Sequence, residues 1–202
     1  MTRKDHWESV YKAKGSEEVS WFEISPTISL DLISLVSPAP RSVIDVGGGQ
    51  SFLVDRLLDA GSEKVAVLDI SSVALDRTKL RLGDRATRVE WIVADVATVA
   101  EVGTFDLWHD RAVFHFLTNP QEREAYLDLA AKSIPFGGHL VMGTFALDGP
   151  EKCSGLPVCR YDVDLLTKTL GSRFNLIHQR RYVHTTPSGK PQSFLFGVFE
   201  RA

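Results

Sequence analysis

The stretch Ser42-Val43-Ile44-Asp45-Val46-Gly47-Gly48-Gly49-Gln50-Ser51 decides the fold. Its apolar, β-branched start reads as a buried strand, and the glycine triplet reads as a tight turn. Phe52-Leu53-Val54-Asp55-Arg56-Leu57-Leu58 then has helical spacing. Strand, glycine turn and helix in that order make a ligand cradle. Glycine admits φ > 0 and a close backbone approach, and a helix start presents free N–H groups. The dinucleotide pattern Gly-x-Gly-x-x-Gly is met only by Gly47 and Gly49, because Phe52 stands at its third position. The stretch reads better as an acid, Asp45, followed by Gly-x-Gly-x-small, with Ser51 as the small residue.

Outward from this turn, strands alternate with helices. Strands are expected at 43–46, 65–69, 89–95, 105–110 and 139–145. Helices are expected at 50–60, from Ser71 or Ser72 to Gly83, briefly after Asp95, and at 120–133. That alternation predicts right-handed crossovers and a parallel sheet covered on both faces. Upstream, Asp5 caps a helix that Gly15 stops, and Ser25-Pro26 opens a second helix reaching Val36. Downstream, a loop over 148–160 leads to a helix at 162–170. Two strands, 174–183 and 193–200, are joined closely enough to pair as an antiparallel hairpin. The fold class is therefore α/β, a single Rossmann-like, doubly wound domain. Residues 1–37 form an N-terminal helical lid and 41–145 a cofactor-binding core. Residues 146–202 supply a substrate-side loop, helix and C-terminal hairpin.

The chain has 202 residues, 44% of them hydrophobic and 24% charged, and a net charge of −3. That balance gives no electrostatic footprint for nucleic acid. Cys153 and Cys159 make neither a disulfide framework nor a zinc pattern, and read as free thiols. The N-terminus carries no signal peptide and no run is long enough to span a membrane, so a cytoplasmic protein is expected.

In such a sheet, ligands sit at the carboxyl ends of the strands. Three acids fall there: Asp69, Asp95 and Asp110. Asp69 follows Gly49 by about 20 residues, the distance at which a carboxylate accepts the hydroxyls of an adenosine ribose. Asp95 suits the adenine amino group and the Val96 N–H suits the ring. Ile70 and Val96 are apolar where a base would be sandwiched.

This combination resembles the class I S-adenosylmethionine-dependent methyltransferases. The matching residues are Val43 to Gly49, Leu68-Asp69-Ile70, Ala94-Asp95-Val96, Phe105-Asp106-Leu107 and the turn Pro135-Phe136-Gly137-Gly138. The resemblance implies S-adenosyl-L-methionine as cofactor and a seven-stranded sheet with one antiparallel strand in its final hairpin. It also places Asp45, with the carbonyls of Gly47 and Asp110, near the methionine amino group. Ser51 stands where the family often has a third glycine. The ends of the chain look similar to a narrower bacterial group related to trans-aconitate and thiopurine methyltransferases. The residues that carry this are His6-Trp7-Glu8, Glu18-Val19-Ser20-Trp21-Phe22, Asp110 to Leu117, and the tail His184-Thr185-Thr186-Pro187 with Gln192 and Phe194. Some relatives of that group methylate protein lysines.

The expected reaction is in-line methyl transfer to a small-molecule acceptor, anionic if the basic tail faces the site. A lysine on a metabolic enzyme is the alternative acceptor. Asp110, Arg111 and His115 stand where an acceptor arrives. His115 suits a base near neutrality. Arg111 suits a carboxylate grip, or else an ion pair with Asp106 or Glu122. Trp21 and Phe22 suit closure over a sulfonium. Arg173, Arg180, Arg181, Lys190 and Arg201 face a single acid, Glu200, in the tail, suggesting an electropositive wall. The rival classes are a nicotinamide-dependent oxidoreductase and a catalytically silent binding domain. Phe52 and the pair Asp69/Asp95 count against the first.

Overall fold

A computed structural model describes residues 2–202. Two helices come first, α1 (Arg3–Ala13) and α2 (Thr27–Val36). The core alternation follows: β1 (Ser42–Val46), α3 (Leu53–Asp59), β2 (Lys64–Asp69), α4 (Ser72–Leu82), β3 (Val89–Val93), β4 (Leu107–Arg111), α5 (Pro120–Ser133) and β5 (His139–Phe145). A two-stranded ribbon, β6 (Lys152–Cys153) with β7 (Leu156–Pro157), precedes α6 (Val163–Leu170). The long strands β8 (Phe174–Thr185) and β9 (Pro191–Arg201) complete the fold.

Seven strands form one sheet in the order β3-β2-β1-β4-β5-β9-β8. The first five are parallel, β9 runs antiparallel to β5, and β8 pairs antiparallel with β9. Side chains alternate across a strand, so each strand feeds two cores. Ile44, Leu68, Trp108 and Met142 pack toward α5 and α6 on one face. Val43, Val67, Leu107 and Val141 pack toward α2, α3 and α4 on the other. The order reverses at β1/β4, which opens a crevice at the carboxyl ends of those strands.

Element ends differ from the sequence expectation in ways local chemistry explains. Thr2, not Asp5, caps α1. Asp5 sits three residues inside and returns the bond to the Thr2 N–H at 3.0 Å. Helix α2 starts at Thr27, with Pro26 outside it. Helix α3 is shorter than expected because Gln50 to Phe52 continue the turn. Strand β3 stops at Val93, and a turn at 96–98 replaces the short helix expected there. Phe105 lies before β4 as a fully buried core residue. The caps of α4, α5 and α6 (Ser71, Asn119 and Asp162) each accept a backbone N–H, as their residue types favour. No helix among the described residues is long and apolar enough to cross a membrane.

Candidate active site

The glycine turn is held from three sides. Gly47 and Gly49 have φ of +68° and +41°. A Cβ on Gly47 would lie 2.0 Å from Val113 Cγ2, and one on Gly49 would lie 2.6 Å from the Tyr11 hydroxyl. The Gly47 N–H donates to Leu68 O at 2.7 Å. From α4, Thr78 Oγ1 donates to Gly49 O at 2.7 Å, and Arg81 donates to Gln50 O at 2.9 Å and Ser51 O at 2.6 Å. Ser51 Oγ accepts the Leu53 N–H at 3.1 Å and so begins α3. The Arg81 guanidinium stacks 4.0 Å above the Phe52 ring, which explains the bulky residue at that place.

Above this turn lies a cleft of about 800 Å³, counted with its open mouth. Asp69, Ile70, Asp95 and Val96 line one end. Arg3, Trp7, Tyr11 and Trp21, all from the N-terminal segment, line it as well. Phe116, Phe145, Cys153, Gln192 and Phe194 line the other end, with Arg111. Trp7 packs edge-on against Trp21 and Phe116, at ring distances of 5.8 and 5.1 Å. Gly47, Trp21 and Arg111 also line a second cavity of about 590 Å³, shared with Asp45, Gln50 and Ser51.

The sequence-derived site residues divide into two sets. Asp69, Ile70, Asp95, Val96, Gly47, Trp21 and Arg111 meet in the cleft, and Asp45 and Ser51 face the second cavity. Asp69 Oδ1 accepts the Ser71 N–H at 2.8 Å, and burial pushes its carboxyl up to about 7 against the Ser71 and Gly49 amides. Asp95 is clasped by Arg3 and accepts the Ala97 N–H at 3.0 Å. Gly49 lines neither cavity; it makes room for Tyr11 and Asp69.

The remaining residues require correction. The Asp110 carboxylate is fully buried, accepting Tyr126 Oη at 2.6 Å and the N–H groups of Val113 at 2.9 Å and Phe114 at 3.1 Å. Burial raises it to about 6 against those donors. It ties β4 to α5 and lines neither cavity. His115 is also fully buried and away from the cleft, and burial lowers it to about 3, so it is no base at neutral pH. Arg111 pairs with neither Asp106 nor Glu122; its Nη2 lies 3.3 Å from Glu23 Oε1. Nor does the tail form a bare cationic wall. Arg173 pairs with Glu124 and Asp128, Arg180 with Asp31 and Arg181 with Asp148.

Several residues of the cleft and the second cavity carry no sequence signal. Arg3 lies far from the core motifs, and only the fold brings it to Asp95. Glu23 follows two aromatic residues, yet nothing local marks it for burial between Arg111, Tyr182 and His184. The Asp45–His109 contact, at 2.7 Å, follows from register: the two residues face each other on β1 and β4.

Residues 43–138 match the model of a methyltransferase domain. The tRNA U34 carboxymethyltransferase of Aliivibrio salmonicida is 27% identical over 123 residues, covering 60% of this chain and 37% of that protein. The eEF1A lysine and N-terminal methyltransferase of Bos taurus is 27% identical over 92 residues, 46% of this chain and 13% of that protein. The chain thus spans well under half the length of these curated relatives, which are methyltransferases of other kinds than the trans-aconitate and thiopurine group. Among solved structures, the N-methyltransferase NodS from Bradyrhizobium japonicum WM9, in complex with S-adenosyl-L-homocysteine, superposes with a TM-score of 0.74 at 17% identity, covering 98% of this chain and 99% of that one. A structure described for the conversion of a disulfide bond into a thioacetal group during echinomycin biosynthesis gives 0.78 at 15% identity, over 99% and 92%. Residues 43–138 are thus similar to a methyltransferase domain, and the chain shares the fold of these solved structures over nearly its whole length.

Proposed function

We propose that the protein transfers a methyl group from S-adenosylmethionine to a small-molecule acceptor at the aromatic end of the cleft. The observation that carries this reading is the continuity of the cleft: it runs without a break from Asp69 and Asp95, past Gly47, to Phe145 and Phe194. Asp69 is placed to hold ribose hydroxyls, Ile70 and Val96 to flank the base, and Asp95 with the Val96 N–H to meet its polar edge. When bound, the cofactor would supply a methyl group on a sulfonium: an acceptor nucleophile would bond to the methyl carbon in line as the carbon–sulfur bond breaks and the neutral thioether leaves. Positive charge leaves the sulfur in that step and disperses over the acceptor, so a mostly apolar enclosure favours it. Trp21 presents a ring face to the cation before transfer.

The protein's own contribution is positioning and exclusion of water. Among the described residues lining the aromatic end, none is a base near neutrality. Arg111 is cationic, and burial pushes the Cys153 thiol up to about 11. The acceptor therefore brings its nucleophile in reactive form. An anionic acceptor has weaker support than the cation count of the tail suggests, because those arginines are paired.

The match to a lysine methyltransferase supports a protein lysine as the second reading. Two measurements test these readings. A rise in melting temperature with S-adenosylhomocysteine and none with NAD supports the cofactor; the reverse overturns it. Labelled S-adenosylmethionine added to lysate fractionated into small molecules, protein and RNA then reports the acceptor class. Label confined to protein or RNA overturns the small-molecule reading.

A further inference from the structure

The tail pattern His184-Thr185-Thr186-Pro187 with Gln192 and Phe194 has no part at the Asp69–Asp95 end of the cleft; it builds the opposite wall. Gln192 stands across the β8–β9 ladder from His184. His184 pins this end of the hairpin to the N-terminal segment: its Nε2 donates to Ser20 O at 2.7 Å, and its Nδ1 lies 3.0 Å from Glu23 Oε1. Thr186 closes the connection, donating its N–H to Lys190 O at 2.9 Å and accepting the Lys190 N–H on Oγ1 at 3.0 Å. None of these bonds takes the side-chain amide of Gln192, which is left facing the cleft. Alternate side chains of a strand share a face, so Gln192 and Phe194 emerge together, roughly 7 Å apart along β9. Phe194 stands opposite Phe145 of β5, with ring centres 4.8 Å apart and planes at 69°. The result is a shelf of rings with one carboxamide at its rim.

Two other residues at this end carry polar atoms, and neither competes with that amide. Burial keeps the Cys153 thiol protonated, a weak donor. Arg111 is cationic, but Glu23 lies 3.3 Å from its Nη2, and Trp21 O takes its Nη1 at 3.1 Å. Burial holds Glu23 up, but His184, Arg111 and Tyr182 outweigh it and leave the carboxyl below its ordinary value. The charge of Arg111 is therefore matched inside the protein. An acceptor carboxylate would have to compete with a Glu23 that Tyr182 and His184 hold in place. A carboxamide carries no charge and offers a donor beside an acceptor, whichever way it is flipped. Its best partner is a group with the same two functions in reverse.

We propose that Gln192 is the specificity-determining residue for the methyl acceptor, and that the acceptor is a neutral, flat molecule whose polar edge sets a donor beside an acceptor, as a lactam or carboxamide does. The rings of Phe145 and Phe194 carry its apolar part, and the Gln192 amide fixes which edge points along the wall. This rests on the reading that a small-molecule acceptor enters at the aromatic end.

The test uses three probes on one bicyclic skeleton: 2-quinolone, with the paired edge; quinoline, with an acceptor alone; and quinoline-2-carboxylate, an anion. Each is titrated by ligand-observed NMR against protein saturated with S-adenosylhomocysteine, for the wild type and Gln192→Leu. The wild type should bind 2-quinolone about tenfold more tightly than either of the others. Gln192→Leu should lose that preference, with quinoline affinity unchanged within about twofold. An undiminished rise in melting temperature with S-adenosylhomocysteine shows that the variant is folded. A preference for 2-quinolone that survives in Gln192→Leu overturns the proposal. So does tightest binding of the carboxylate, which would return the acceptor to Arg111, or a wild type that takes up S-adenosylhomocysteine and none of the three probes. A wild type that does not bind S-adenosylhomocysteine overturns the methyl-donor reading instead, a separate result.

Discussion

Arg3 reaches the cleft from α1 and holds both carboxylate oxygens of Asp95, at 2.9 and 3.1 Å, while its second terminal nitrogen holds Glu122 at 2.7 Å. The N-terminal helix is thereby fastened to the loop after β3 and to α5. Both partners of the Arg3–Asp95 pair keep about a quarter of their side-chain surface, so the pair adds no more than about 1 kcal/mol to global stability. Its larger effect is local. Arg3→Ala should leave the melting temperature within a few degrees and speed tryptic cleavage after Lys12 and Lys14 several-fold. Limited proteolysis beside a thermal melt checks this, and equal cleavage rates would remove Arg3 as the fastening.

Asp69 gives a pH signature. Burial lifts it to about 7, whereas an unfolded aspartate titrates near pH ~4. Between those values the folded chain binds more protons than the unfolded one, so this group's contribution to stability falls as pH rises and levels off above about 7. Hydroxyl donors favour the ionised form, so affinity for S-adenosylhomocysteine should climb as pH passes upward through about 7. Asp69→Asn should weaken binding on the order of tenfold and flatten both dependences. Denaturant melts and calorimetry from pH 5 to 8.5, comparing the two proteins, isolate this group from the other carboxylates.

Asp110 predicts a stability effect where the sequence suggested a catalytic one. Tyr126→Phe removes a 2.6 Å donor from a fully buried carboxylate and should cost about 1–3 kcal/mol. His115→Gln should leave the pH–rate profile unmoved, since burial holds that ring neutral and the cleft does not include it. A shifted acid limb in that variant would restore His115 as a base.

Gly47→Ala is expected to be severe. The left-handed backbone costs a Cβ about 1–2 kcal/mol, and the 2.0 Å approach to Val113 Cγ2 adds overpacking of about 1–3 kcal/mol. Chemical denaturation should show a loss of roughly 2–5 kcal/mol. Adding Val113→Ala should recover the packing part alone.

The sheet was legible because periodicity and turn residues are local. The β1 run, Asp69 at its distance from Gly49, and Asp95 after the β3 run each announce a strand end. Roles that depend on what packs against a residue were not legible. Asp110 ends a strand as Asp69 does, yet Tyr126 from α5 seals it, and nothing near Asp110 in sequence says so. His115 lies between Phe114 and Phe116, yet nothing in that local sequence told that the fold buries it, neutral, outside the cleft. The tail's cations were counted correctly, but their partners Asp31, Glu124, Asp128 and Asp148 come from elsewhere in the chain. Arg3 and Glu23 were missed for the same reason.

Strand β9 is made last and installed in the sheet's interior, between β5 and β8. It also brings Gln192 and Phe194 to the aromatic wall. During synthesis the end of the cleft with Asp69 and Asp95 is therefore encoded well before the end with Gln192 and Phe194. A nascent chain halted after β5 would carry Asp69 and Asp95 and lack Gln192 and Phe194, so the cleft is closed only when the final hairpin threads home.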